Sequence, residues 1–388
     1  MKKNKIISTF FLMISSVLLF LSCENDDPVK SRQNAIRKLY NRGSAKIAVA
    51  NSFEKNQTNM WNGVILAQEK IKAENLCPVD LEFLKYDDGG TPVSGAKTAY
   101  EITKDEEICA VVGHGYSDVT LPCSLIYQYY GVMAFNFIST LHSLNERGNP
   151  LFFSNMPDDE IFARELARLC ERNKYENVLI YYLENKSGIS LSNNFEIQCN
   201  RRSISVASRD SFDLSTNEVG FNRVAKRWKN NYIFDAIFVV GRMPAISQII
   251  DVIRENKIEC PIIGADPFDD PLLESYLPET ENGRIFAVSN FDKNSENEKF
   301  REFYESYKKR FEEEPDQEAL QAYDAVIVLA KAIAFANSAV PSDIVAEIRK
   351  REWDEGAGPY SSNEQGEMDK QQLVRKVFQD GKFVKYFQ

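Results

Sequence analysis

The chain has 388 residues, 43% of them hydrophobic and 27% charged, and a formal net charge of −10. That length accommodates two lobes with separate cores, and the apolar content excludes a disordered chain. The acidic balance excludes a nucleic-acid binder, which needs a basic footprint.

Lys2, Lys3 and Lys5 precede an apolar run from Ile6 to Leu21, closed by Ser22 and Cys23. Residues 1–22 therefore read as a secretion signal, short for a spanning helix and followed at once by acidic residues. Cys23 resembles a bacterial lipoprotein cleavage site, although Phe20 stands where leucine is usual. This implies an exported protein held on the membrane through a lipid on Cys23, facing the periplasm or the cell surface. An ordinary signal peptide or a retained anchor helix is the alternative. Residues 23–43 are polar and read as a tether. Cys77, Cys109, Cys123, Cys170, Cys199 and Cys260 form an even set, which permits disulfides in an exported chain, but their apolar settings suit free buried thiols. No CxxC or Cys/His cluster occurs, so no metal and no cofactor are expected.

Residues 46–50 predict a strand. Val64, Ala67 and Ile71 predict a helix over 60–74, residues 80–85 a second strand, and Asp87-Asp88-Gly89-Gly90 a turn. A helix over 92–103 leads to the apolar run 108–112, then the loop His114-Gly115-Tyr116-Ser117-Asp118 and a helix starting near Thr120. A second apolar run, 132–137, ends in the loop Ile138-Ser139-Thr140-Leu141-His142-Ser143. Two strands thus bring Ser/Thr-bearing loops to one edge of a parallel sheet, where open α/β sheets bind small ligands. The first loop also opens a helix, whose free N–H groups favour an anion such as a carboxylate. Helices over 158–173, 189–199, 219–229 and 244–255 then alternate with strands over 177–182, 203–206, 236–240 and 261–263. A short strand over 284–289 leads to long helices over 296–311 and 317–336. The tail alternates around Asp380-Gly381, a hairpin turn. This is the pattern of α/β lobes with parallel sheets.

Several residues admit a second reading. His114 and His142 flank the two loops, and His114 lies three residues before Ser117, but no GxSxG elbow is present and no acid is placed to orient the ring. A structural histidine is the better reading. Asp87 and Asp88 read as a turn, not a metal pair. Ser117, Asp118 and Asp266 also fit ordinary capping or turn roles.

The pieces KIAVA, NGVILAQEKI, LKYDDGGTP, AVVGHGYSDVT, GVMAFNFISTLHSLNERG, AYDAVIVLAKAI and GPYSSNEQGEM, in this order, resemble the type I periplasmic solute-binding proteins. The likeness is to the branched-chain amino-acid (Leu/Ile/Val) binding subunits of ABC transporters. It implies two doubly wound parallel-sheet lobes joined by a three-crossover hinge: 44–151 with 290–357, and 152–289 with 358–388. Ser117 and Thr140 fall where the family holds the ligand's α-carboxylate by hydroxyls, with Ile138 and Ser139 offering backbone groups. Asp266 stands where a glutamate commonly pairs the α-ammonium. Ser187 and Arg242 stand where tyrosine is common, and Trp61 would lend a wall. Arg242 either favours a ligand with an extra acid or pairs with Asp266. The expectation is a monomeric, non-enzymatic subunit that hands an amino acid or related carboxylate to an ABC permease. A sensory lipoprotein of the same fold is the first rival, and a hydrolase using Ser117 and His114 the second.

Overall fold

The computed structural model describes residues 27–53, 59–141, 143–146, 148–362, 368–369 and 373–387. Cys23 and His142 lie outside the described residues.

The first described element corrects the expected tether. Pro28–Tyr40 form helix α1, begun by Asp27, which accepts from the Val29 amide at 3.0 Å, and by a proline in the first turn. Its inner face carries Ile36 and, unusually, Arg32, both 1% exposed. Arg32 donates to the carbonyls of Tyr130 (2.9 Å), Asp105 and Ile108 (2.8 Å each) and Thr103. A helix docked through an arginine looks polar in sequence, which is why it read as a spacer.

Strand β1 (Ser44–Asn51), helix α2 (Asn59–Glu74), β2 (Asp80–Asp87), α3 (Pro92–Lys104), β3 (Ile108–Gly113), α4 (Ser117–Tyr130), β4 (Met133–Asn136), the short α5 (Ser143–Glu146) and β5 (Phe152–Ser154) follow. The five strands pair in parallel in the order β2-β1-β3-β4-β5. β3 is buried along its whole length, as its unbroken apolar run requires of a central parallel strand. Because β5 joins this sheet, the first lobe runs past 151, and the chain crosses over only after Ser154.

Helix α6 (Asp159–Arg172) opens the second lobe, with β6 (Asn177–Leu183), α7 (Lys186–Asn200), β7 (Ser205–Phe212), α8 (Glu218–Asn231), β8 (Ala236–Val240), α9 (Ala245–Glu255), β9 (Ile262–Gly264), α10 (Pro271–Tyr276) and β10 (Ile285–Ser289). β7 is longer than expected and begins later. The chain then returns to the first lobe as α11 (Glu298–Phe311), α12 (Gln317–Ala336) and α13 (Pro341–Arg349). A small sheet follows, of β11 (Trp353–Glu355), β12 (Gly358–Ser362) and β13 (Met368–Asp369). A third crossover delivers β14 (Val374–Gln379) and β15 (Lys382–Lys385), turning at Asp380-Gly381 as expected. The second sheet has the order β15-β14-β10-β9-β8-β6-β7, antiparallel only at the β15-β14-β10 side. Two parallel-sheet lobes joined by three crossovers are thus the architecture, as the sequence indicated.

α12 is apolar on all sides and long enough to cross a membrane, but it is mostly buried in the first lobe's core. It packs so closely on α2 that a Cβ on Gly63 would stand 2.2 Å from the Ala319 carbonyl oxygen. The six cysteines among the described residues are free thiols.

Candidate functional site

Parallel strands end on one side of each sheet, so the loops after β3, β4, β8 and β9 are delivered towards the crossovers between the lobes. Gly113 ends β3, and the loop to α4 runs against Asn51 at the end of β1. A Cβ on Gly115 would meet the Asn51 side-chain oxygen at 2.2 Å, so only glycine lets the loop lie there. Tyr116 precedes α4 in extended backbone and makes no side-chain cap, and Ser117, 9% exposed, is the first helical residue. The amino end of α4 is thus left without a side-chain cap, at the place where an anion is favoured.

His114 is buried with both ring nitrogens engaged, Nδ1 with Asp88 at 2.7 Å and Nε2 with Tyr127 at 2.9 Å. Burial opposes the charged ring, but Cys123 and Asp88 outweigh it and raise its pKa to about 9. The acid not foreseen from sequence is Asp88, which also turns the chain by accepting from the Gly90 amide at 2.8 Å. The ring serves Asp88 and Tyr127, not Ser117, so the Ser–His pairing that a hydrolase needs is not formed.

After β4, Asn136 clasps the second loop. The Ser139 amide donates to Asn136 Oδ1 at 2.8 Å, and Asn136 Nδ2 donates to the Ser139 carbonyl at 2.6 Å. The Ser139 backbone, expected to face a ligand, is therefore already engaged; its hydroxyl is buried and unpartnered. Ile138 packs against the cores of both lobes. Thr140 is likewise committed: its hydroxyl donates to Asp159 Oδ1 at 2.6 Å, and the Asp159 amide returns a bond to its carbonyl at 2.8 Å.

Asp159 is the residue the sequence did not single out. It opens α6 directly after the cap Asp158, where an acid reads as ordinary dipole complementation. It is fully buried, and its Oδ2 has no partner. Burial drives its pKa up to about 7; Ser190 and Thr140 pull it back, and Asp158 and Asp266 push it further up. Asp266 follows β9 at the start of a short 3₁₀ turn. Its pKa is also raised to about 7, first by burial and then by Asp269, while a bond from Gln317 of the other lobe opposes the shift.

Arg242, just beyond β8, lies over the Tyr116 ring at 4.7 Å, so its described partner is Tyr116 and not Asp266. The described links are thus Thr140 to Asp159, Asp159 within electrostatic range of Asp266, and Arg242 to Tyr116, the neighbour of Ser117. Trp61 packs against the first lobe's core, with Phe53 edge-on at 6.2 Å and Lys85 over its ring. Ser187 lies in the first turn of α7. Among the described residues no group of three or more His, Cys, Asp or Glu could hold a metal ion.

A model of the periplasmic binding protein family matches residues 52–382. The chain is 21% identical over 309 residues to the leucine-, isoleucine-, valine-, threonine- and alanine-binding protein of Pseudomonas aeruginosa, covering 79% of this chain and 81% of that one. Among solved structures it is similar to an ABC transporter substrate-binding protein from Desulfitobacterium hafniense in complex with Leu. That match has a TM-score of 0.79 and 24% identity, over 88% of this chain and all of that one. A solute-binding protein of an ABC transporter from R. palustris, in complex with benzoate, gives a TM-score of 0.78 and 14% identity, over 88% and 95% of the two chains.

Proposed function

Because the chain belongs to the periplasmic binding protein family, and its matched relatives are binding proteins and not enzymes, we propose that it captures an α-amino acid, or a closely related amine-bearing carboxylate, between its two lobes. One observation carries this reading: an uncapped helix start at Ser117 shares the inter-lobe region with Asp159, a buried carboxylate that has an oxygen to spare. The first end suits a carboxylate; the second suits an ammonium. Asp266, in the same lobe as Asp159 and within its electrostatic range, is the second acid for the amine, and Arg242 a second donor for the carboxylate.

In this reading the protein is exported, held on the membrane through Cys23, and passes its ligand as a monomer to an ABC-type permease. The signal-like residues 1–22 and the family's periplasmic setting support export. The names of the relatives support an amino acid or a carboxylate as the cargo.

A thermal-shift screen of the full chain against amino acids, benzoate and dicarboxylates tests the ligand class. A ligand at about 100 times its Kd adds roughly 2.7 kcal/mol of stability, well within reach of a melt. A shift with an amino acid, lost with its N-acetyl derivative, is the expected result. A shift with benzoate or a dicarboxylate alone would sink the amine half of the proposal.

A further inference from the structure

Helices α3 and α4 end side by side at one corner of the first lobe, and their outer faces carry a run of aromatic rings. Tyr130 meets Tyr100 edge-on at 6.2 Å and Tyr129 at 4.9 Å. Tyr129 is 68% exposed and Tyr100 48%, and Leu125, one turn before Tyr129, is exposed as well. Single exposed apolar side chains are ordinary; a contiguous set on two neighbouring helices marks a surface that meets something.

The chain enters the fold at this same corner. Val29, in the first turn of α1, lies against Gly131 at the end of α4: a Cβ on that glycine would stand 2.9 Å from a Val29 methyl. Arg32 bonds the carbonyls of both Thr103 and Tyr130, and the Ser31 hydroxyl donates to Glu106 at 2.8 Å. Four peptide steps separate Asp27, the cap of α1, from Cys23. They span at most about 14 Å.

We infer that this corner is the face the protein lays on a lipid bilayer, with Tyr100, Tyr129 and Leu125 in the headgroup layer beside the anchor. This rests on the membrane anchoring read above, and holds whether the anchor is a lipid on Cys23 or the apolar run 6–21 retained. So short a tether never lets the corner leave the neighbourhood of the bilayer. The anchor then supplies the affinity, and the rings need only supply the posture. Tyrosine suits that layer, since its ring is apolar and its hydroxyl stays wet. Exposed charges around the corner balance, Lys30, Lys97 and Lys104 against Asp27, Glu101 and Glu106, with Lys104 and Glu101 paired at 2.6 Å. Apolar contact, not lipid charge, therefore holds the face down. A second copy of the chain is the poorer occupant, because three part-exposed side chains fall short of the ~800 Å² per partner that a stable interface uses.

The posture orients the candidate site. α4 begins at Ser117 and ends 14 residues on at Tyr130. The site thus stands about one helix length, roughly 20 Å, from the bilayer-facing corner. Docked in this way, the protein holds its site away from the lipid, and contacts this weak allow the corner to lift for hand-over to a permease.

The experiment puts the full chain in vesicles of phosphatidylcholine brominated on its acyl chains, which quench tryptophan only at short range. Tyr129→Trp, Tyr100→Trp and a second-lobe control, Tyr232→Trp, are each compared with the parent, and melts show that every variant is folded. Emission added at 129 and 100 should fall by about half or more, at low and high salt alike, while that at 232 stays unchanged. Equal quenching at all three positions overturns the inference and leaves the anchoring standing, as does none at any of them while the chain stays with the vesicles. Quenching at 129 that high salt abolishes overturns it too, because charge would then hold the corner. Emission at 129 that responds to protein dilution but not to bromine assigns the corner to a second copy. A chain that does not sediment with the vesicles removes the anchoring and the inference together.

Discussion

The Arg242 guanidinium lies 4.7 Å from the centroid of the Tyr116 ring, a cation–π contact between the end of β8 in one lobe and the residue before α4 in the other. The contact spans the lobes next to Ser117, so it brings a positive charge to the corner where an anion is already favoured. An arginine with one aromatic face beneath it retains in-plane N–H donors for a carboxylate. Arg242→Ala is therefore expected to weaken binding of the ligand's carboxylate roughly 10- to 100-fold, read by calorimetry, while the ligand-free melt moves little. An unchanged affinity would confine Arg242 to holding the lobes together.

Asp159 offers a sharper contrast between stability and binding. Its carboxylate is buried, with only one oxygen engaged by Thr140. Asp159→Asn keeps the shape and an acceptor for the Thr140 hydroxyl, and removes a costly buried charge. The ligand-free protein should melt at the same temperature or higher, and affinity for an amine-bearing ligand should fall by roughly 30-fold or more. Lower stability with intact affinity would make Asp159 a structural cap for the second loop.

The same acids set a pH dependence. Asp159 and Asp266 have folded pKa values near 7 against an ordinary 3.8, first because of burial. Asp158 and Asp269 add to the shifts; Thr140, Ser190 and Gln317 oppose them. Glu318 is raised in the same direction by burial, Asp316 and Asp270. Groups whose pKa rises on folding stabilise the fold at low pH and lose that contribution as pH climbs through the folded value. His114, raised from 6.5 to about 9, acts with the same sign at higher pH. The ligand-free melting temperature should fall by a few degrees between pH 5 and pH 8. Binding of a cation needs the ionised acids, so affinity should rise over that interval, by roughly three- to tenfold per unit below pH 7. Calorimetry in two buffers of different ionisation enthalpy should detect protons released on binding. Affinity flat from pH 5.5 to pH 8 would remove these carboxylates from the site.

How much of this was legible in the sequence depends on whether a residue's job is local. The alternation of apolar runs and amphipathic helices gave the sheets, and the polar loops after β3 and β4 were placed with Ser117 and Thr140 at strand ends, because chain direction and helix starts are local properties. Asp159 escaped. It sits in the first turn of a helix, where an acid is unremarked, and only the approach of the Thr140 loop shows it to be buried with an oxygen short of a partner. Asp88 escaped for a similar reason. As a turn residue it was plain, but its bond to His114 joins positions 26 residues apart.

Helix α1 gives the last prediction. Arg32 donates to four main-chain carbonyls, from Thr103, Asp105, Ile108 and Tyr130, which close the α3–β3 turn and the end of α4. Burial lowers its pKa, and Glu106 and Asp105 oppose that shift. Arg32→Ala leaves those carbonyls short of donors and should cost about 2–4 kcal/mol, seen as a lower urea midpoint. Arg32→Lys should restore little of it, since an ammonium cannot reproduce the planar fork that spans the four acceptors. A residue in a solvated spacer would shift the midpoint by less than about 0.5 kcal/mol. The size of the shift thus separates an integral part of the first lobe from a leash. If α1 is integral, only a few residues remain between Cys23 and the folded body, and a lipid on that cysteine would hold the first lobe close against the membrane.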